Sequence, residues 1–289
     1  MSSPADVNTV AVVGSGTMGL GIAHVAALGG YDTIVQDVAE EQLRKAVDTI
    51  RGNLAKGVEK GKVAAAAAEA AMKRLRTETS LAAAAKGADF VIEAVPEDMA
   101  LKARIFGELD GSAPAHAVLA TNTSGLSVTE IAGATKRPDR VIGMHFFNPV
   151  HMMKLVEIIR GHDTSEETTK ATEAVAARMG KETVRVNESP GFVTSRMNAL
   201  IGNEAFRMLD AGVASARDID KALKLGLNHP MGPFEMVDLV GLDVRLNILR
   251  HLHRTLGDLY KPSPTLEKLV AEGRLGRKAG KGVYDYGAP

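Results

Sequence analysis

In "RVIGMHFFNPVHMMKLVEII", His145 and Glu157 each stand inside an apolar run. A carboxylate in a buried strand is costly unless something pairs with it. Histidine is the usual general base, because its unperturbed pKa lies near working pH. If strands at 141–145 and 153–159 pair through a turn near residue 151, Glu157 comes opposite His145. A carboxylate there would fix the imidazole tautomer and stabilise the imidazolium formed when the ring takes a proton. The competing reading is structural: a core histidine hydrogen-bonded to backbone, and a glutamate that reaches the surface.

A second chemical signature is "GSGTMG", residues 14–19. In such a loop Gly14 makes the tight turn after a strand, Gly16 lets the backbone approach a pyrophosphate, and Gly19 permits close helix–strand packing. The helix that follows points free N–H groups at the phosphates. Asp37 ends the next apolar run about 20 residues on, where an acidic side chain accepts hydrogen bonds from a ribose diol. A 2′-phosphate would meet that negative charge with no obvious arginine beside it. NAD is therefore expected in preference to NADP, and with it hydride chemistry.

These residues need a scaffold. Residues 9–13 read as a buried strand, 17–28 as a helix ended by Gly29 and Gly30, and "DTIVQD" as a second strand. A long polar helix over 39–59 and an alanine-rich helix follow. Then come a strand in "ADFVIEAV", a helix over 98–109, a strand in "AVLATNTS" and a short helix at 127–133. "RVIGMHFF", "MKLVEII" and "ETVRV" are the last strands, with the helix "SEETTKATEAVAARMG" before the final one. This alternation predicts an α/β fold, a Rossmann-type doubly wound, mostly parallel sheet. After Pro190 the β-branched runs stop. Helices are expected over 192–211, 215–224, 232–256 and 263–272, giving an all-α C-terminal domain. The expected domains are 1–188, binding the dinucleotide, and 189–289, all-helical. The substrate is expected in the cleft between them.

Composition narrows the partners. In 289 residues, 35 Lys and Arg balance 35 Asp and Glu, so no net charge is available to hold nucleic acid or an anionic membrane. There is no cysteine, which excludes disulfides, thiolate catalysis and cysteine-based metal sites; no metal is expected. The apolar runs fall short of the ~20 residues of a membrane helix, and "MSSPADVNTVAVVG" lacks a signal-peptide pattern. A cytoplasmic protein is the expectation.

The motifs "GSGTMGLGIA", "VIEAVPE", "TNTSGLSVTEIA", "GMHFFNPVHMMKLVE", "SPGFVTSR" and "LGLNHPMGPFEMVDLVGLD" stand in an order and spacing that resemble the L-3-hydroxyacyl-CoA dehydrogenases, most nearly the bacterial 3-hydroxybutyryl-CoA enzymes. The likeness runs from Val10 to "LGRKAGKGVYDY". It implies an NAD-dependent oxidoreductase interconverting a (3S)-3-hydroxyacyl-CoA and a 3-ketoacyl-CoA, with short chains favoured, and a homodimer formed through the helical domain. It implies His145 as base, Glu157 as its partner, and Ser124 and Asn148 as active-site contacts. Gly14, Ser15, Gly16, Thr17, Met18, Gly19, Asp37, Glu97, Lys102, Asn122, Ser124, Asn148 and Lys278 are implied around the cofactor. Asn53, Lys56 and Lys60 are implied at the nucleotide end of coenzyme A; without the resemblance they read as a solvated helix face.

Ser195 stands where the family often has asparagine, so either Ser195 works through a water or Asn198, one turn on, replaces it at the substrate's oxygen. "NTSG" likewise carries glycine where a second serine is common. The stripes Leu223, Leu225 and Leu227, and Val237, Val240 and Val244, would suit a two-fold interface. Two other readings stay open: a related dehydrogenase of free hydroxy or sugar acids, and a non-enzymatic dinucleotide-binding relative, against which intact Ser124, His145, Asn148 and Glu157 argue.

Overall fold

The β-branched run at the start of the chain forms β1 (Thr9–Val13), and the glycine loop carries it into helix α1 (Thr17–Leu28). Gly30, at φ +85°, turns the chain into β2 (Asp32–Gln36), parallel to β1. The computed structural model describes residues 7–287, and the chain divides into two compact units, one ending at Glu188 and one beginning at Ser189.

In the first unit, α2 (Glu40–Glu59) buries Leu43, Ala46, Ile50 and Leu54, an apolar stripe at helical spacing. Next come α3 (Ala65–Arg74), β3 (Leu75–Glu78), α4 (Leu81–Lys86) and β4 (Phe90–Glu93). Asp98 caps α5 (Met99–Ser112), its carboxylate accepting the Leu101 N–H at 2.7 Å. β5 (Val118–Thr121), α6 (Val128–Ala132), β6 (Val141–Phe146), β7 (Leu155–Arg160), α7 (Glu166–Arg178) and β8 (Glu182–Asn187) complete it. The sequence reading missed β3 and α4. "LRTE" has no apolar run; it becomes a strand because β2 offers a parallel edge, and α4 starts on a Ser80 cap.

The eight strands lie in the order β3-β2-β1-β4-β5-β6-β7-β8. All neighbours are parallel except β6 and β7. The order reverses between β1 and β4, and in such sheets ligands gather outside the carboxyl ends of the strands at that point. The core joins the faces of β1, β4, β5 and β6 to α1 through Val12, Ile22, Phe90, Ile92, Ala120 and Met144, all fully buried.

The second unit contains α8 (Thr194–Asp210), α9 (Ala216–Gly226), α10 (Pro233–Val240), α11 (Leu242–Leu256) and α12 (Pro264–Ala271). Phe206 and Phe234 meet edge-to-face at 5.0 Å in its core. Two expectations are corrected here. The helix expected over 232–256 is two helices, because Gly241 takes φ +107°, and a Cβ there would lie 2.9 Å from the Asp243 carboxylate. Val237, read as part of an interface stripe, is fully buried in this unit's own core. Leu225, Leu227, Val240 and Val244 are exposed.

Candidate active site

β6 and β7 pair in the register that the apolar runs predict, with His145 directly opposite Glu157. Residues opposite one another in an antiparallel pair project from the same face, so the two side chains meet. His145 Nδ1 lies 2.8 Å from Glu157 Oε2. Glu157 is fully buried and His145 is 6% exposed. An ionised carboxylate only accepts, so Nδ1 carries the proton and the neutral ring has its lone pair on Nε2. The ring also packs against Phe147, centroids 4.7 Å apart. Glu157 thus fixes the tautomer and orientation of the ring from behind.

The loop after β5 is organised by carboxylates. Glu97 Oε1 accepts from Thr123 Oγ1 at 2.6 Å, from the Ser124 N–H at 2.8 Å and from the Gly125 N–H at 3.2 Å. Ser124 is thereby held exposed just beyond the carboxyl end of β5. Asn122 accepts the Phe146 N–H at 2.9 Å, bracing the ends of β5 and β6. Below lies Lys102, 1% exposed, with its ammonium 2.6 Å from the fully buried Glu93 and 3.5 Å from Glu97. Asn148 lies exposed in the turn after β6. Lys181 ties that turn down by donating to the Val150 carbonyl and, at 2.8 Å, to that of Met153.

The glycine loop fits a dinucleotide residue by residue. Gly14 has φ +95°, which favours glycine. A Cβ on Gly19 would lie 1.8 Å from the Gly14 carbonyl oxygen, so only glycine lets the helix start this close to the turn. A Cβ on Gly16 would meet nothing within 4 Å, which leaves that side open to a ligand. Ser15 donates to Asp37 Oδ2 from its N–H at 2.9 Å and its hydroxyl at 2.7 Å. Partial burial works against ionisation of Asp37, but those hydrogen bonds and one from the Ala39 N–H hold its carboxyl below the ordinary aspartate range. It stays anionic at neutral pH with lone pairs left for a ribose diol.

A pocket of about 900 Å³ runs along this loop, between Asp37 and the Ala94–Pro96 segment after β4. Arg104, on α5, lines it as well. No pattern in the sequence links Arg104 to Asp37; only the packing of α5 against the sheet does.

The pattern described as 3-hydroxyacyl-CoA dehydrogenase, NAD binding domain, matches residues 9–189, and that of the family's C-terminal domain matches residues 191–286. The chain belongs to the 3-hydroxyacyl-CoA dehydrogenase family. It is an NAD-dependent dehydrogenase. It is 46% identical to the probable 3-hydroxybutyryl-CoA dehydrogenase of Bacillus subtilis, over 97% of this chain and 98% of that one. Identity to the 3-hydroxybutyryl-CoA dehydrogenase of Clostridioides difficile is 45%, over 96% and 99%. The crystal structure of the (S)-3-hydroxybutyryl-CoA dehydrogenase of Ralstonia eutropha superposes with a TM-score of 0.94 at 42% identity, covering 97% and 99%.

The other residues singled out from the dehydrogenase's sequence are each placed within their own unit. Asn53 and Lys56 lie on α2, with Lys60 at its end; Lys56 and Lys60 are exposed and, among the described residues, enter none of the ion pairs of that helix. Ser195 and Asn198 share one face of the first turn of α8, both half-buried. Lys278 pairs with Asp243 at 2.7 Å within the helical unit. Glu93 and Thr121 escaped the residue-by-residue reading. The cue was present: "DFVIEAV" sets a glutamate in an apolar strand just as "KLVEII" does.

Proposed function

We propose that the protein interconverts (3S)-3-hydroxybutyryl-CoA and acetoacetyl-CoA, with short acyl chains favoured and His145 as general base. The observation that carries this reading is the 2.8 Å contact between Nδ1 of His145 and the buried Glu157 carboxylate at the carboxyl edge of the sheet. Bound NAD supplies the hydride acceptor. His145 takes the hydroxyl proton on Nε2 as C3 is oxidised, and Glu157 stabilises the imidazolium that results. Ser124, with Ser195 or Asn198, donates to the substrate oxygen and favours the negative charge that develops there.

Gly14 to Gly19 and the start of α1 hold the pyrophosphate, and Asp37 accepts from the adenosine ribose. Glu97, Lys102, Asn122, Asn148 and Lys278 complete the cofactor's surroundings. Asn53, Lys56 and Lys60 hold the nucleotide end of coenzyme A, the lysines as point charges for phosphate. The protein works in the cytoplasm as a homodimer through its helical unit, whose exposed Leu225, Leu227, Val240 and Val244 supply the apolar surface.

An assay of NADH oxidation with acetoacetyl-CoA, longer 3-ketoacyl-CoAs and free acetoacetate tests the reading. The expected order is acetoacetyl-CoA first and acetoacetate last by a wide margin. Equal rates with acetoacetate and its thioester would refute it.

A further inference from the structure

Glu93 sits at the carboxyl end of β4 with no exposed surface, and nothing in the mechanism above uses it. All its partners are donors. Oε1 accepts from Lys102 at 2.6 Å and from the Val95 N–H at 2.7 Å, and Oε2 accepts from Thr121 Oγ1 at 2.7 Å. Lys102, 1% exposed, also donates to the Val95 carbonyl at 3.3 Å and stands 3.5 Å from Glu97. Glu97 in turn receives Thr123, Ser124 and Gly125.

The carboxylate therefore reaches the Ser124 loop by two routes. One runs through Lys102 and Glu97. The other is Thr121, which pairs with Glu93 across β4 and β5 and accepts the Thr123 N–H at 3.3 Å. We propose that Glu93 is a positioning residue for dinucleotide binding: its charge fixes the Lys102 ammonium, and through it Glu97 and the 123–125 loop. This rests on the reading of Glu97, Lys102 and Ser124 as the nicotinamide side of the site.

The physical reason is charge balance in a dry place. Two carboxylates share one ammonium, and the fully buried one takes the shorter contact. This leaves the outer carboxylate one oxygen committed to the loop and one toward the ammonium. With Glu93 neutral, Glu97 becomes the only anion near Lys102, and the ammonium is drawn outward onto it. The outer carboxylate then loses its hold on the loop, and the site is no longer preorganised for the cofactor. A neighbouring-charge effect of this kind does not depend on the shape of residue 93.

Shape and charge can be separated. Glu93→Gln keeps the shape: its amide oxygen can still accept from Lys102 and Val95, while its NH2 faces the Thr121 oxygen. Glu93→Asp keeps the charge and loses a methylene. The measurement is the NADH dissociation constant by fluorescence titration, which needs no acyl-CoA and so does not depend on the substrate assigned above. Glu93→Gln should weaken NADH binding by about tenfold or more, the equivalent of one hydrogen bond to a charged group. Glu93→Asp should fall between it and the parent. In a Lys102→Met background, adding Glu93→Gln should change nothing further, because the glutamine amide keeps a contact with Thr121 and only the route through the ammonium depends on the charge at residue 93.

Parent-like affinity in Glu93→Gln with only a lower Tm would overturn the proposal. So would an Asp variant weaker than the Gln variant, or additive effects of Glu93→Gln and Lys102→Met. If the single Gln variant fails to fold, the double variant leaves no unpaired charge buried. NADH affinity in it equal to that of Lys102→Met would support the proposal, and affinity lower than that of Lys102→Met would overturn it.

Discussion

Glu157→Gln tests the dyad most directly. The amide oxygen can accept the Nδ1–H as the carboxylate does, so ring position and tautomer are kept while the charge is removed. In the oxidation direction the ring is neutral before proton transfer and cationic after it. Both states hydrogen-bond the fully buried carboxylate at 2.8 Å, but only the second adds the attraction of opposite charges. A hydrogen bond to a charged group contributes about 1.5–3 kcal/mol, against about 1 kcal/mol for a neutral pair. Low exposure favours the upper end, so the transition state loses about 2 kcal/mol. At 1.36 kcal/mol per decade that is a fall of ~30-fold in kcat. The KM values should hold, because the ground-state imidazole is neutral. The assay is NADH formation from (3S)-3-hydroxybutyryl-CoA across pH, with the acid limb of the profile expected to move to lower pH. A kcat within about twofold of the parent, with an unmoved profile, would show that Glu157 does not stabilise charge on His145.

Three further outcomes follow from the geometry. Gly16→Ala should raise the NADH dissociation constant by at least ~10-fold with little change in Tm, since its methyl points into open space where a pyrophosphate would lie; Gly19→Ala should lower Tm as well, because its methyl would fall 1.8 Å from the Gly14 oxygen. Burial, with His151 and Lys181 nearby, pushes the His24 imidazole from 6.5 down to about 4. Between those values the unfolded chain binds the extra proton, so stability falls as pH drops through that window, by at most about 3 kcal/mol. Thermal melts of His24→Gln should show a flatter pH dependence there, and an unchanged slope would remove His24 as the cause. Lys56→Glu with Lys60→Glu should raise the KM for acetoacetyl-CoA at least ~10-fold and leave NADH affinity alone; an unchanged KM would return both lysines to the status of solvated surface.

The dyad and the glycine loop were legible along the chain because both rest on local rules. Strand side chains alternate with period two, and a single turn between two apolar runs fixes which residues face each other, so His145 and Glu157 could be paired on paper. The roles of Gly14, Gly16 and Gly19 follow from one strand–loop–helix unit. What stayed hidden depends on neighbours distant in sequence. β3 exists because β2 offers it an edge, and Arg104 meets the Asp37 pocket only through the packing of α5. The carboxylate of Glu93 is tolerable only because Lys102, Val95 and Thr121 converge on it from three elements. The break at Gly241 is set by the φ its surroundings impose, where the helical pattern reads straight through. Sequence periodicity thus decided which faces are apolar and which groups meet across a turn. Long-range packing decided which buried charges find partners, because the energy of a buried charge depends on everything that surrounds it.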